Sequence, residues 1–297
     1  MSDYLVKAFA FNGTVRIYAA STTVLVEESR KIHDTWPAAT AALGRVLTAT
    51  VIMGAMYKED QTISVQIDGG GPIGKIISTA NSFGQVRGVV SNPQIHISTN
   101  DGKLAVGHVV GNNGFIHVTK DLKIRDTFTS SAELQTGEIA DDFTYYFAKS
   151  EQIPSSVGLG VLVNDDNSVL ASGGFILQIM PGCKQETIDE IEINIREMKP
   201  VSSLIQNGYS PEQIVDVITK GNHKIVQKMD LHYECDCSKE RFAKGIISLG
   251  PVEIQEMIDD QKEIETTCQF CGRQYHFDVD ELTSMMREIQ RTDVTKS

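Results

Sequence analysis

Two hundred and ninety-seven residues, at about 150 per domain, predict two or three domains. Hydrophobic residues make up 41% and charged residues 22%, an ordinary globular balance that excludes a disordered or collagen-like chain. The net charge of −12 disfavours nucleic acid and anionic membrane surfaces, since both call for a basic footprint.

Asp3 and Lys7 interrupt the start of the chain where a signal peptide needs an unbroken apolar stretch, so a cytoplasmic protein is expected. Short β-branched runs at 15–20, 62–68, 86–90, 104–110 and 115–119 predict strands. Turn signals separate them: Asn12-Gly13, Gly69-Gly70-Gly71-Pro72, Asn100-Asp101-Gly102 and Asn112-Asn113-Gly114. A run of small apolar residues over 36–57 contains Arg45, Thr40, Thr48 and Thr50, which suits a buried helix better than a membrane span. A second helix is expected at 138–152, then two strands at 157–163 and 169–180.

Pro181-Gly182 breaks this pattern. Ile188, Ile191, Ile195 and Met198 recur at helical spacing in a charged stretch. Ser210 before Pro211 marks the start of another helix, with Ile214, Val215, Val217 and Ile218 apolar. Two short helices at 239–249 and 252–261 and a last one at 279–291 complete the chain. The expected fold is α+β: a sheet-rich N-terminal domain with a central small-residue helix over 1–181, a helical linker over 182–230, and over 231–297 a small C-terminal domain whose Cys235, Cys237, Cys268 and Cys271 mark it as zinc-binding.

Two glycine motifs are decoys. Gly69 to Lys75 fits part of a phosphate-binding loop, but Ile76 stands where a magnesium-binding Ser or Thr is needed, and a strand follows instead of a helix. Gly158-Leu-Gly160 lacks the third glycine of a dinucleotide site. The histidines are scattered and nothing supports catalysis, so no catalytic residue is assigned.

The cysteines carry the chemistry. Cys235-x-Cys237 and Cys268-x-x-Cys271 stand 30 residues apart, two close pairs that can surround one tetrahedral zinc ion. Four thiolates close the site, leaving no vacancy for His232 or His276 and no open position for catalysis. The plain reading is a permanent zinc staple for a segment too small to bury much apolar surface. A switch is the sharper reading. Zinc contributes about 10–16 kcal/mol to such sites, whereas a short disulfide loop recovers roughly 2 kcal/mol. Oxidation of both local pairs would then loosen the domain. Loosening would uncover the apolar faces of the linker helices, including Ile188, Ile191, Ile195, Ile214 and Ile218, as a candidate hydrophobic binding surface; ordinary helix packing explains the same residues. Cys183, before a predicted helix, reads as an incidental small residue or a thiol activated by the helix N-terminus.

With Glu234-Cys-Asp-Cys-Ser238, Glu240-Arg241 and Cys268-Gln-Phe-Cys-Gly272 followed by Tyr275 and Phe277, the sequence resembles the 33 kDa heat-shock protein family of redox-regulated bacterial holdases. Gly71-Pro-Ile-Gly74, Arg87-Gly88, 150–154, Gly173-Gly174 and 178–182 extend the likeness over most of the chain, while Cys183 lies outside the family's cysteine set. The resemblance implies an ATP-independent chaperone of the oxidative stress response. Reduced Cys235, Cys237, Cys268 and Cys271 would hold one Zn2+ in an inactive protein. Oxidation would form the Cys235–Cys237 and Cys268–Cys271 disulfides, release zinc, unfold domain and linker, and give a dimer that captures unfolded or oxidatively damaged clients. Rivals are a zinc-ribbon nucleic-acid-binding or translation-associated protein, which needs a basic groove that this acidic C-terminal segment does not offer, and a thiol oxidoreductase, which needs neither zinc nor a second pair.

Overall fold

The computed structural model describes residues 2–95, 104–124 and 126–294, with side chains to residue 289. Backbone proximity divides the chain into two units, Met1–Glu234 and Cys235–Ser297. The turn expected at Asn100-Asp101-Gly102 lies outside the described residues.

The first unit follows chain order as β1 (Tyr4–Ala10), β2 (Val15–Ser21), α1 (Thr23–His33), α2 (Pro37–Gly54), β3 (Thr62–Asp68), β4 (Ile76–Asn81) and β5 (Gln85–Val90). Next come α3 (Val106–Val110), β6 (Phe115–Asp121), β7 (Phe128–Glu133), α4 (Ala140–Lys149), β8 (Ser155–Val163) and β9 (Val169–Ile179). Helices α5 (Gln185–Glu197), α6 (Val201–Gln206) and α7 (Pro211–Thr219) precede β10 (His223–Asp230) and β11 (His232–Tyr233). One sheet has the order β10-β1-β2-β9-β8 and is antiparallel throughout; the other runs β11-β5-β4-β3-β6-β7, antiparallel except for β11 beside β5.

Helix α2 packs on strands of both sheets. By length and composition it could cross a membrane, yet 89% of it is buried within the unit. Its sequence explains that position. Gly44 admits Val26, whose Cγ1 would lie 2.7 Å from a Cβ there. The threonine hydroxyls are satisfied locally: Thr48 donates to the Gly44 carbonyl at 2.8 Å and Thr50 to that of Val46 at 2.7 Å. Arg45 reaches Glu138 at 2.7 Å. A small-residue helix thus lets two sheets approach a single rod.

On the far face of the five-stranded sheet, Ile191, Val201, Leu204, Ile214, Val215 and Ile218 from α5–α7 join Val6, Ile17 and Leu177 in a second core. Ser210 caps α7 as expected: its hydroxyl accepts from the Gln213 amide at 3.2 Å, and Gln213 Oε1 accepts from the Ser210 amide at 2.8 Å.

Two segments depart from expectation. Residues 104–110 were expected as a strand, but 106–110 form the short helix α3. Val106, Val109 and Val110 are buried at helical spacing, and the Gly107 amide donates to Glu138 Oε1 at 3.0 Å. The last eight residues of the 182–230 segment form β10, paired with β1 from Tyr4↔Asp230 to Ala10↔His223.

The second unit contains α8 (Lys239–Ile247), α9 (Pro251–Asp259), the hairpin β12 (Ile264–Thr267) and β13 (Gln274–Phe277), and α10 (Val279–Val294). Among the described residues its core gathers Ile246, Ile254, Phe277, Leu282, Met285 and Met286.

Candidate metal centre

The two cysteine pairs are presented by different local devices. Cys235 and Cys237 lie on the extended segment that enters α8, where the Ser238 hydroxyl accepts from the Arg241 amide at 3.3 Å and caps the helix. Asp236 pairs with Arg241 at 3.0 Å. Cys268 and Cys271 occupy the turn between β12 and β13. There the Cys268 amide donates to the Arg273 carbonyl at 2.9 Å and the Gly272 amide to the Cys268 carbonyl at 2.8 Å. Gly272 sits at φ +70°, with open space around it, so backbone conformation rather than crowding calls for glycine.

These devices bring the four Sγ atoms within 4.8 Å of one another. Cys235 and Cys268 approach to 3.7 Å, Cys237 and Cys271 to 3.4 Å. A tetrahedron with metal–sulfur bonds of about 2.3 Å has edges of about 3.8 Å, so the cluster could hold one metal ion of zinc's preference. All four cysteines are free thiols; Cys268 is buried and the others are half-buried. Close contacts run between the pairs, and Cys235 and Cys237 also interact within theirs, so distance alone does not choose a pairing.

Electrostatics distinguish the sulfurs. Burial pushes the Cys235 thiol up to about 12 and raises Cys271 as well. Burial works in the same direction on Cys237, but hydrogen bonds, first that from Tyr275, outweigh it and bring the thiol down to about 7. The Tyr275 hydroxyl donates to the Cys237 carbonyl at 2.9 Å and to its Sγ at 3.2 Å. A hydrogen bond to Tyr275 and the charges of Tyr275, Cys237 and Cys271 raise Arg273, which sets a guanidinium beside the thiols. Close thiols resist losing their protons together, and a divalent cation overcomes that by supplying the opposing charge; its binding releases protons.

The remaining candidates fall elsewhere. His276 faces Glu263 at 3.5 Å, and His232 is exposed on β11. Cys183 is half-buried before α5, packed against the second core of the first unit. Ile191, Ile214 and Ile218 are buried, while Ile188 and Ile195 are half-buried and line a shallow apolar groove with Leu177 and Ile179. Gly69–Lys75 is a β3–β4 connection, as its sequence implies, and Gly158 lies inside β8 against Phe175. The hydroxyl donor on Cys237 was not legible: Tyr275 stands 38 residues away, and only the β12–β13 pairing turns it toward the thiols.

A family model described as Hsp33 protein matches residues 3–278. The 33 kDa chaperonin of Geobacillus kaustophilus (strain HTA426) is 52% identical over 287 residues, covering 96% of this chain and 98% of its own length. That of Bacillus subtilis (strain 168) is 50% identical over 290 residues, covering 97% and 100%. Among solved structures, the crystal structure of the 33 kDa chaperonin (heat shock protein 33 homolog) from Thermotoga maritima matches with a TM-score of 0.89 at 32% identity, covering 97% of this chain and 99% of that one.

Proposed function

The chain is a chaperone of the Hsp33 family, and on that premise we propose that it is an ATP-independent holdase governed by its four-thiol centre. The observation that carries this reading is the spacing of Cys235, Cys237, Cys268 and Cys271, within 4.8 Å of one another in a unit whose apolar core is small. Bound zinc would hold the two cysteine-bearing segments together and keep their sulfurs deprotonated. The reduced, zinc-bound form is the inactive one.

Activation is oxidation of the Cys235–Cys237 and Cys268–Cys271 pairs by peroxide or hypochlorite. With peroxide, each pair gives up two electrons and the O–O bond breaks. Two thiolates, one hydrogen peroxide and two protons become one disulfide and two waters. Oxidised sulfur no longer ligates metal, and the module over 231–297 loses its largest stabilising term. Rearrangement of the 182–230 linker against the 1–181 domain then bares Ile188, Ile191, Ile195, Ile214 and Ile218 to unfolded or oxidatively damaged proteins. The burial of Ile191, Ile214 and Ile218 in the resting fold supports this order of events, since these three need uncovering before they can bind. The activated protein works in the cytoplasm as a homodimer and has no nucleic-acid or membrane partner.

The test follows light scattering from a heat-aggregating client with this protein zinc-loaded and reduced, or peroxide-treated at mild heat, without ATP. Suppression by the oxidised form alone is expected. Equal behaviour of the two forms would reduce the centre to a structural staple.

A further inference from the structure

We propose that Lys7, Arg16 and Lys224 form a binding site for an oligophosphate, an anion with a chain of two or more phosphoryl groups. The site lies wholly within Met1–Glu234 and does not rest on the redox reading. Strand register places it. One row of paired residues crosses β10, β1, β2 and β9 as Lys224, Phe9, Arg16 and Gln178, and the next row on that face sets Lys7 opposite Tyr18. Three cations therefore share one end of one sheet face, and neither row contains a carboxylate.

These cations lack the partners that others in the unit have. Arg30 meets Glu27 at 2.8 Å, Arg45 meets Glu138 at 2.7 Å and Lys120 meets Glu151 at 2.5 Å, each cation half-buried. Lys7 and Arg16 are half-buried too, yet among the described residues no carboxylate pairs with either of them, or with the exposed Lys224. They have an aromatic floor instead. Lys7 Nζ lies 5.7 Å from the centre of the Phe9 ring and 5.6 Å from that of Tyr18, and Arg16 Cζ lies 5.9 Å from the latter. A ring face attracts a cation only weakly and does not cancel two like charges converging on it. Burial, and then the Arg16 charge, lowers the pKa of Lys7. An anion is the group that would relieve both cations.

The site is organised in advance. Gln178 is 1% exposed, and its Oε1 accepts from Arg16 Nε at 3.1 Å and Nη2 at 2.6 Å. That holds the guanidinium in place and leaves three of its five N–H donors for a ligand. Adjacent strands stand about 4.8 Å apart, so the backbones of Lys224 and Arg16, two strands apart, are separated by about 10 Å. One tetrahedral anion suits Lys7 and Arg16, whereas a phosphoryl chain spans all three cations and matches their charge.

The experiment titrates tripolyphosphate, ATP and sulfate by calorimetry into full-length, zinc-loaded, reduced wild type and four single variants at constant ionic strength. Wild type should bind one tripolyphosphate saturably and about tenfold more tightly than sulfate. Lys7→Gln and Arg16→Gln should each weaken that binding about tenfold. Lys224→Gln, an exposed change that leaves the core untouched, should weaken it about threefold. Lys228 stands on β10 opposite Val6, on the other face of the sheet, and pairs with Glu212 at 3.7 Å. Lys228→Gln removes the same charge from that face and should change nothing, and heat from chelation of zinc is common to all five proteins. The ratio of ATP to tripolyphosphate affinity separates a nucleotide from a free chain as the source. Absence of saturable binding overturns the proposal, as does equal affinity for sulfate or equal weakening in Lys228→Gln. A loss confined to Lys7→Gln and Arg16→Gln, accompanied by lowered melting and absent from Lys224→Gln, overturns it as well.

Discussion

Stripping the metal from the reduced protein should unfold the Cys235–Ser297 unit and leave the strands between residues 4 and 179 standing. A unit of this size rarely gains more than about 3–5 kcal/mol from its apolar core, and here that core is Ile246, Ile254, Phe277, Leu282, Met285 and Met286. Loss of a four-thiolate zinc site removes about 10–16 kcal/mol, more than such a core holds in reserve. Oxidation adds a term whose size depends on pairing. The local bridges Cys235–Cys237 and Cys268–Cys271 restore about 2 kcal/mol each. Bridges along the two short contacts, Cys235–Cys268 and Cys237–Cys271, span sequence separations of 33 and 34, and the first of them would restore about 4 kcal/mol and staple the hairpin to the entry of α8. Local pairing loosens the unit and crossed pairing fastens it. Peptide mapping after peroxide should therefore find the local bridges. Hydrogen exchange should show lost amide protection in Ile264–Thr267 and Gln274–Phe277, while β3 and β6 keep theirs. The single tryptophan, Trp36, lies in the first unit, so its fluorescence should stay native. Crossed bridges, or protected β12 and β13 amides in the metal-free protein, would refute the reasoning.

Two further predictions concern the first unit. Asp3 is buried and accepts from the Leu25 amide at 2.7 Å, and burial raises it from 3.8 to about 6. The folded state thus holds this proton more tightly than the unfolded one: the stabilisation is full below pH 3.8 and is lost as pH rises through about 6. Asp3→Asn should flatten that dependence, gaining about 3 kcal/mol relative to wild type across the window, as read by denaturant unfolding followed at Trp36. Ile214→Ala, at a fully buried position on α7, should lower the stability of the same unit by about 2–5 kcal/mol in the same assay, without changing zinc retention by the cysteine cluster.

Legibility in the sequence tracked how local each determinant is. The C-x-C and C-x-x-C pairs are local, and so are the Ser210–Gln213 cap and the alternation of β3; each was readable where it stands. Residues 106–110 show the limit of periodicity, because three valines in five residues satisfy a strand or one turn of helix, and the decision fell to Glu138, a distant partner of the Gly107 amide. β10 was hidden for another reason. His223-Lys-Ile-Val-Gln-Lys-Met-Asp is mostly exposed and has no apolar face to announce it. It is a strand because β1, more than 200 residues earlier, offers an edge whose amides and carbonyls need partners. The same logic applies at the cysteine cluster: the four thiols are written in the chain, whereas the hydroxyl on Cys237 exists only once β12 and β13 have paired. The sequence therefore names the thiols, and the fold decides what surrounds them.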